Sequence, residues 1–185
     1  EEKFLPGIEM RQTEADGLLH EAGWSLAYHK GTRFGELVSI SKYKGAGPFA
    51  LGLVLRAVEV VRMCYPVQIL DGVVSVPPTG GSMLVEVFAR QVAERLGINY
   101  FPVLTKVRFT KKQKSLTNRV QKMLNVEGVF AVLDAEKIKE HTLLLIDDIY
   151  DSGFTLCEAG KTLMRAGART VYPLTITRTT HSDDQ

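Results

Sequence analysis

The chain has few of the residues that build metal clusters or covalent staples. Its 185 residues include two cysteines, Cys64 and Cys157, and four histidines. The cysteines lie far apart and form no CxxC pair. Neither a disulfide framework nor a thiolate zinc site is expected. Reduced thiols fit a cytoplasmic setting. No apolar run reaches the roughly 18 residues of a membrane span, and no signal-peptide pattern opens the chain. A membrane partner is therefore not expected. Internal repeats and low-complexity tracts are also lacking. The net charge of +2 is too small to imply a nucleic-acid partner by itself. The first residues are Glu1-Glu2-Lys3, without an initiator Met, which suggests an excerpt of a longer protein or a processed terminus. What remains is a 45% hydrophobic chain, enough for a full core in one domain. A lead-in over residues 1–23 and a domain over 24–185 are the expected organisation.

The richest segment is Leu143-Leu-Leu-Ile-Asp-Asp-Ile-Tyr-Asp-Ser-Gly-Phe-Thr-Leu156. Its four leading apolar residues read as a buried strand too short for a helix. Asp147 and Asp148 are expected to end that strand. The turn Asp151-Ser-Gly-Phe-Thr155 then leads into a helical pattern. A loop entering a helix presents unpaired N–H groups at the positive end of the helix dipole. Gly153 lets the backbone approach an anion and tolerates positive φ. Ser152 and Thr155 add hydroxyl donors. A terminal phosphate suits that turn. It does not suit two carboxylates, which accept hydrogen bonds from a vicinal diol or hold a hard cation such as Mg²⁺. Phosphate at one end and two hydroxyls at the other describe a ribose 5-phosphate.

Strands and helices alternate along the rest of the chain. Trp24–Lys30 and Phe34–Ile40 read as strands joined by a turn at Gly31. Pro48–Met63 reads as a helix, Val73–Val76 as a short strand, and residues 83–96 as a helix with Leu84, Phe88, Val92 and Leu96 at spacing four. Tyr100–Leu104 and Val129–Leu133 read as strands, and residues 105–125 as basic and irregular. Val171–Ile176 completes the sheet, with Pro173 favouring an edge or irregular position. The expected fold is α/β: a mainly parallel twisted sheet flanked by helices, with a flexible basic flap. Ligands in such folds bind beyond the carboxyl ends of the strands.

Two further segments carry chemistry. Val76-Pro-Pro-Thr-Gly-Gly-Ser82 is a second strand–loop–helix junction. Pro78, Thr79, Gly80 and Gly81 could form an anion nest for pyrophosphate, or a plain turn. No Lys or Arg lies between Val76 and Arg90. Residues 105–122 hold Lys106, Arg108, Lys111, Lys112, Lys114, Arg119 and Lys122 and no acid. Three readings are open: a solvated loop, a cationic flap over a departing pyrophosphate, or a nucleic-acid contact. Aromatic interleaving is limited to Phe109. Gly160-Lys-Thr162 and Gly45-Ala-Gly-Pro-Phe-Ala50 mimic nucleotide-binding loops but sit in the wrong context.

The 143–156 segment resembles the phosphoribosyl pyrophosphate motif of type I phosphoribosyltransferases. That resemblance implies that Asp147 and Asp148 hold the ribose hydroxyls and that Asp151, Ser152, Gly153, Phe154 and Thr155 wrap the 5′-phosphate. It implies Mg²⁺ at the acid pair. Asp151 stands where purine-salvage members carry an Asp proposed to exchange a proton with the base. Lys106, Arg108, Lys111 and Lys112 correspond to the catalytic flap. Tyr43-Lys-Gly45, Val76-Pro77, Lys106-Val-Arg-Phe-Thr110, Gln113, Asn125-Val-Glu-Gly-Val-Phe130 and Arg165-Ala-Gly-Ala168 with Tyr172-Pro173 resemble the competence-protein ComF group. They are more similar still to the C-terminal phosphoribosyltransferase-like domain of some bacterial RecQ-type DNA helicases. The ComF-type arginine-rich pyrophosphate loop is not found here.

The resulting expectation is a Mg²⁺-dependent transferase that moves phosphoribose from phosphoribosyl pyrophosphate to a nitrogenous base. A helicase domain, and DNA through it, are the implied partners. The alternative is a non-catalytic ligand-sensing or DNA-contacting module of that larger protein. The acceptor base is not legible, because the hood that selects it is built from residues 1–45 or from elsewhere.

Overall fold

A computed structural model describes residues 8–10, 23–45, 47–110 and 118–179. The main sheet has six strands: β1 (Ile8–Met10), β2 (Gly23–Tyr28), β3 (Gly72–Ser75), β4 (Asn99–Tyr100), β7 (Thr142–Tyr150) and β8 (Thr170–Arg178). Their spatial order is β1-β2-β8-β7-β3-β4. Five of them run parallel, and β1, inside the expected lead-in, pairs antiparallel with β2. A two-stranded antiparallel sheet, β5 (Leu104–Lys106) with β6 (Phe130–Val132), stands beside it. The helices are α1 (Arg33–Lys44), α2 (Leu51–Cys64), α3 (Leu84–Leu96), α4 (Arg119–Val126) and α5 (Phe154–Arg165). This is the expected α/β class with a mainly parallel sheet. The flap residues Lys111 and Lys112 lie outside the described residues.

β7 is the centre of the fold. Leu143, Leu144, Leu145 and Ile146 are all fully buried. Each such side chain contributes about 1.5–3 kcal/mol by leaving water. Side chains alternate along a strand. Leu144 and Ile146 join the core formed with α1, α2 and α3. Leu143 and Leu145 join the opposite core, with α5 and the small sheet.

The structure departs from the sequence reading in five places. Phe34–Ile40 is not a strand but part of α1. Thr32 caps it by accepting from the Gly35 N–H at 3.1 Å, and Gly45 ends it at φ 65°. Phe34, Leu37, Val38 and Ser41 then repeat at helical spacing and face the core. Tyr100–Leu104 is not one strand. Pro102 lacks an N–H, so the ladder stops at the Phe101 N–H bond to the Val73 carbonyl (2.8 Å), and Leu104 starts a different sheet. Residues 105–125 are not irregular throughout, since Asn118 caps α4 by accepting from the Val120 N–H at 2.7 Å. The acid pair does not end β7. Pairing with β8 carries the strand on to Tyr150. Pro173 is not at an edge, because β8 lies between β2 and β7. It sits where β2 pairing begins. There the buried Tyr65 hydroxyl accepts from the Trp24 N–H (2.8 Å) and donates to the Pro173 carbonyl (2.6 Å). The phenol thus bridges the rung that a proline weakens.

Helix α1 lies very close to the end of β2. A Cβ placed on Gly35 would stand 1.7 Å from the His29 carbonyl oxygen. Gly35→Ala is therefore expected to push α1 off the sheet and to cost about 1–3 kcal/mol as an overpacking substitution. Chemical denaturation measures this, and an unchanged midpoint would contradict the packing described.

Candidate functional site

A cavity of about 680 Å³ opens at the carboxyl ends of β2, β3 and β7. Asp147–Gly153 and Thr155 form one side, Pro78, Thr79 and Gly80 another, and Lys106, Lys122, Lys42 and His29 reach in from β5, α4, α1 and the end of β2. Gly81 and Arg108 are not among its lining residues, and neither is Phe154, which packs on the core under α5.

The turn at 151–155 has the geometry its sequence suggests. Gly153 is the N-cap of α5 at φ 79°, and no side chain caps that end. Such a terminus leaves first-turn N–H groups for an anion. A Cβ at Gly153 would meet the tip of the Tyr150 side chain at 2.9 Å, which can shift, so it is the positive φ that calls for glycine. Asp151 is held on both oxygens: Lys122 Nζ lies 2.7 Å from Oδ2, and the Thr179 hydroxyl donates to Oδ1 at 2.9 Å.

Strand alternation sends the acid pair to different neighbours. Asp148 follows Leu144 and Ile146 and meets α1, where Lys42 Nζ lies 2.5 Å from its Oδ2. Asp147 follows Leu143 and Leu145 toward the small sheet. Its Oδ1 accepts from the Asp148 N–H at 2.8 Å. Burial of the Asp147 carboxyl, reinforced by the charge of Asp148, pushes its pKa up to about 7. Burial lowers the Lys42 pKa, but the charge and hydrogen bond of Asp148 outweigh it and leave the ammonium raised. Lys106, on β5, is lowered by burial and partly restored by Asp147. His29 is lowered by burial and then by Lys42, and its Nδ1 lies 3.0 Å from the Thr177 hydroxyl.

The loop after β3 has no cation of its own, and the fold supplies one. Lys106 Nζ donates to the Thr79 hydroxyl at 2.8 Å. Arg108, expected beside it in the flap, is spent elsewhere. Its guanidinium donates to the carbonyls of Leu124 (3.1 Å) and Glu127 (2.6 Å) and closes the end of α4.

The acid pair has the oxygen chemistry that Mg²⁺ prefers. Among the described residues no cluster of three or more His, Cys, Asp or Glu could hold a metal. A Mg²⁺ ion here would complete its octahedron with water and ligand oxygens, as it does where phosphates share the coordination. On that condition the residues fit.

Sequence reasoning missed Lys42, His29 and the pairing of Lys122 with Asp151. Lys42 lies one residue before the Tyr43-Lys-Gly45 segment, and its reach to Asp148 follows only from α1 being a helix.

An open-sheet α/β domain with an uncapped helix N-terminus at its strand ends offers an anion the place where such folds bind ligands. The family model described as the phosphoribosyl transferase domain matches residues 73–180, and the chain belongs to that family. No curated protein matches the chain. Among solved structures, it is similar to an allosteric regulatory enzyme of purine biosynthesis at 23% identity and TM-score 0.41, covering 57% of this chain and 21% of that one. It is similar to the glutamine phosphoribosylpyrophosphate amidotransferase of B. subtilis, complexed with ADP and GMP, at 23% identity and TM-score 0.40 (57% and 22% covered). A purine phosphoribosyltransferase of Pyrococcus horikoshii Ot3 is similar at 14% identity and TM-score 0.45 (70% and 81% covered). The chain thus spans about a fifth of the length of the first two. No helix among the described residues is long and apolar enough to cross a membrane.

The folded-state pKa of Asp147, about 7, lies above the ordinary 3.8. Between those values the unfolded chain has lost a proton that the folded chain keeps. The contribution of this group to stability therefore falls as pH rises through that window and is constant above it. Asp147→Asn is expected to gain in thermal midpoint over wild type from pH about 4 to about 7, with a level difference beyond. A pH-independent difference would count against the shift.

Proposed function

We propose that this domain binds phosphoribosyl pyrophosphate, or a related phosphorylated ribose, and transfers the phosphoribosyl group to a nitrogenous base. The observation that carries this reading is the uncapped α5 terminus directly after the acid pair. Phosphate and diol recognition then share one strand–turn–helix. In the proposed roles, the 151–155 turn anchors the 5′-phosphate, with Phe154 contributing only backbone. Asp147 and Asp148 orient the ribose hydroxyls and would hold Mg²⁺ together with ligand oxygens, where the ion would neutralise charge on the pyrophosphate. Pro78, Thr79 and Gly80 face the pyrophosphate, with Lys106 as their cation.

In the transfer, the C1–O bond breaks and pyrophosphate leaves with the bonding pair. C1 passes through an oxocarbenium-like state. A base nitrogen forms the new C1–N bond, and its proton goes to Asp151. Anchoring the phosphate uses binding energy remote from the reacting carbon. Lys111 and Lys112 retain the proposed flap role of closing over the site.

A second reading is a ligand-sensing module without turnover, attached to a DNA-processing protein of ComF or RecQ-helicase type. The absence of a basic residue within residues 76–82 favours it. Under this reading, a cytoplasmic location and DNA as a partner come through the attached protein. Release of pyrophosphate in the presence of candidate bases separates the two readings.

Calorimetric titration of phosphoribosyl pyrophosphate with Mg²⁺ is the primary test. Wild type is expected to bind, and the double variant Asp147→Asn, Asp148→Asn to lose binding. Gly153→Val is expected to abolish affinity while the fold persists. Unchanged affinity would sink the phosphate-cradle assignment. Lys106→Ala is expected to weaken phosphoribosyl pyrophosphate by roughly tenfold to a hundredfold, the scale of a lost charge-assisted hydrogen bond. It should leave ribose 5-phosphate affinity unchanged. Equal losses for both ligands would remove Lys106 from the pyrophosphate end.

A further inference from the structure

The second acid of the pair already holds a cation, and that cation belongs to the chain. Lys42 Nζ lies 2.5 Å from Asp148 Oδ2, with side-chain exposures of 26% and 15%. An exposed lysine–carboxylate pair holds together weakly and reorganises freely. This one is shielded, and both of its ends sit on fixed elements. Asp148 is set by the pairing of β7 with β8, which runs on past it to Tyr150. Lys42 is set by α1, whose closeness to β2 leaves no room for a side chain on Gly35. One residue before Lys42, the Ser41 hydroxyl donates to the Pro48 carbonyl at 3.3 Å and ties the far end of α1 to the start of the next helix. The ammonium therefore cannot leave Asp148 by a rigid shift of its helix at small cost. It leaves by changing its own rotamers.

We infer that Lys42 is the resident counter-cation of the acid pair, so that a divalent ion reaches Asp148 only by displacing it. This inference rests on the phosphoribosyl reading of Asp147 and Asp148. It adds that the ribose end of the site carries a built-in monovalent charge. A phosphorylated ribose without pyrophosphate then needs no metal there: the ammonium leaves the second Asp148 oxygen for a ribose hydroxyl and donates from its other protons. Divalent ion is then needed only where pyrophosphate oxygens complete its coordination at the acid pair. Lys42 is thus a positioning residue that divides metal demand between the two ends of one ligand.

The test measures Mn²⁺ binding to ligand-free protein by paramagnetic resonance of free ion, in wild type, Lys42→Met and Lys42→Arg. Removing the ammonium leaves a shielded carboxylate uncompensated, so Lys42→Met is expected to bind Mn²⁺ roughly tenfold or more tighter than wild type. Lys42→Arg keeps the charge and should stay with wild type. Equal Mn²⁺ affinity in all three proteins overturns the inference, and so does tight binding by Lys42→Arg. Lys42→Gln serves in the same comparison if Lys42→Met loses cooperative unfolding. Ribose 5-phosphate is titrated in parallel in chelator. Wild type is expected to bind it without metal, and Lys42→Met to require Mn²⁺. If no protein binds ribose 5-phosphate under any condition, the phosphoribosyl reading fails, while the Mn²⁺ comparison still decides the role of Lys42.

Discussion

The alternation of side chains along β7 is the constraint on which the rest of the molecule depends. A strand buried on both faces must be apolar on both, and Leu143–Ile146 are. The same period continues into Asp147 and Asp148, where the sheet runs out of helix cover and opens to the cavity. Two carboxylates that are neighbours in sequence thereby leave opposite faces of the strand, while both line the one cavity at its end. A shift of register by one residue would exchange their environments and would also turn the leucines to the wrong cores. The packing of the interior and the chemistry of the site are therefore fixed by one register.

The cations of the site arrive separately, each on its own element. Lys42 comes on α1, Lys106 on β5 and Lys122 on α4, and they meet Asp148, the Thr79 hydroxyl and Asp151 respectively. This spread places Lys106 beside the loop after β3, which has no basic residue of its own. An anion beside Thr79 would meet a lysine whose charged form burial already disfavours and Asp147 partly restores. Bringing a second negative charge near such a lysine relieves that penalty. The arrangement favours an anionic occupant for electrostatic reasons that do not require the flap.

The motif was legible because its signals are local. An apolar run, an acid pair and a glycine turn can be read within fourteen residues, and a buried strand and α5 form where that reading expects, although the strand runs on past the acid pair to Tyr150. Helix α1 was misread although its cap signals were equally local. Thr32 and Gly45 bracket it, but the β-branched and aromatic content after Gly31 resembled a hairpin arm. Pro173 lies inside the sheet against the local rule for proline, and the Tyr65 hydroxyl, 108 residues away, links its carbonyl to the Trp24 N–H of β2. The contacts of Lys42, Lys106 and Lys122 could not be read at all. They span 27 residues between Lys106 and Thr79, 29 between Lys122 and Asp151 and over a hundred between Lys42 and Asp148, and nothing in the sequence links those positions.

The two adjacent acids are chemically unequal, and their inequality narrows what each can do. Asp148 stands against an ammonium fixed by α1, so its charge is balanced before any ligand arrives. Asp147 has no ion pair among the described residues, and its pKa is pushed up to about 7 by burial and by Asp148. Pairs of titratable groups whose surroundings drive them apart are how one site separates a charged role from a proton-carrying role. The strand period that sends the two carboxylates to different neighbours creates this inequality: α1 brings Lys42 to Asp148, while burial and the charge of Asp148 hold the proton on Asp147 more tightly than on an ordinary carboxylate.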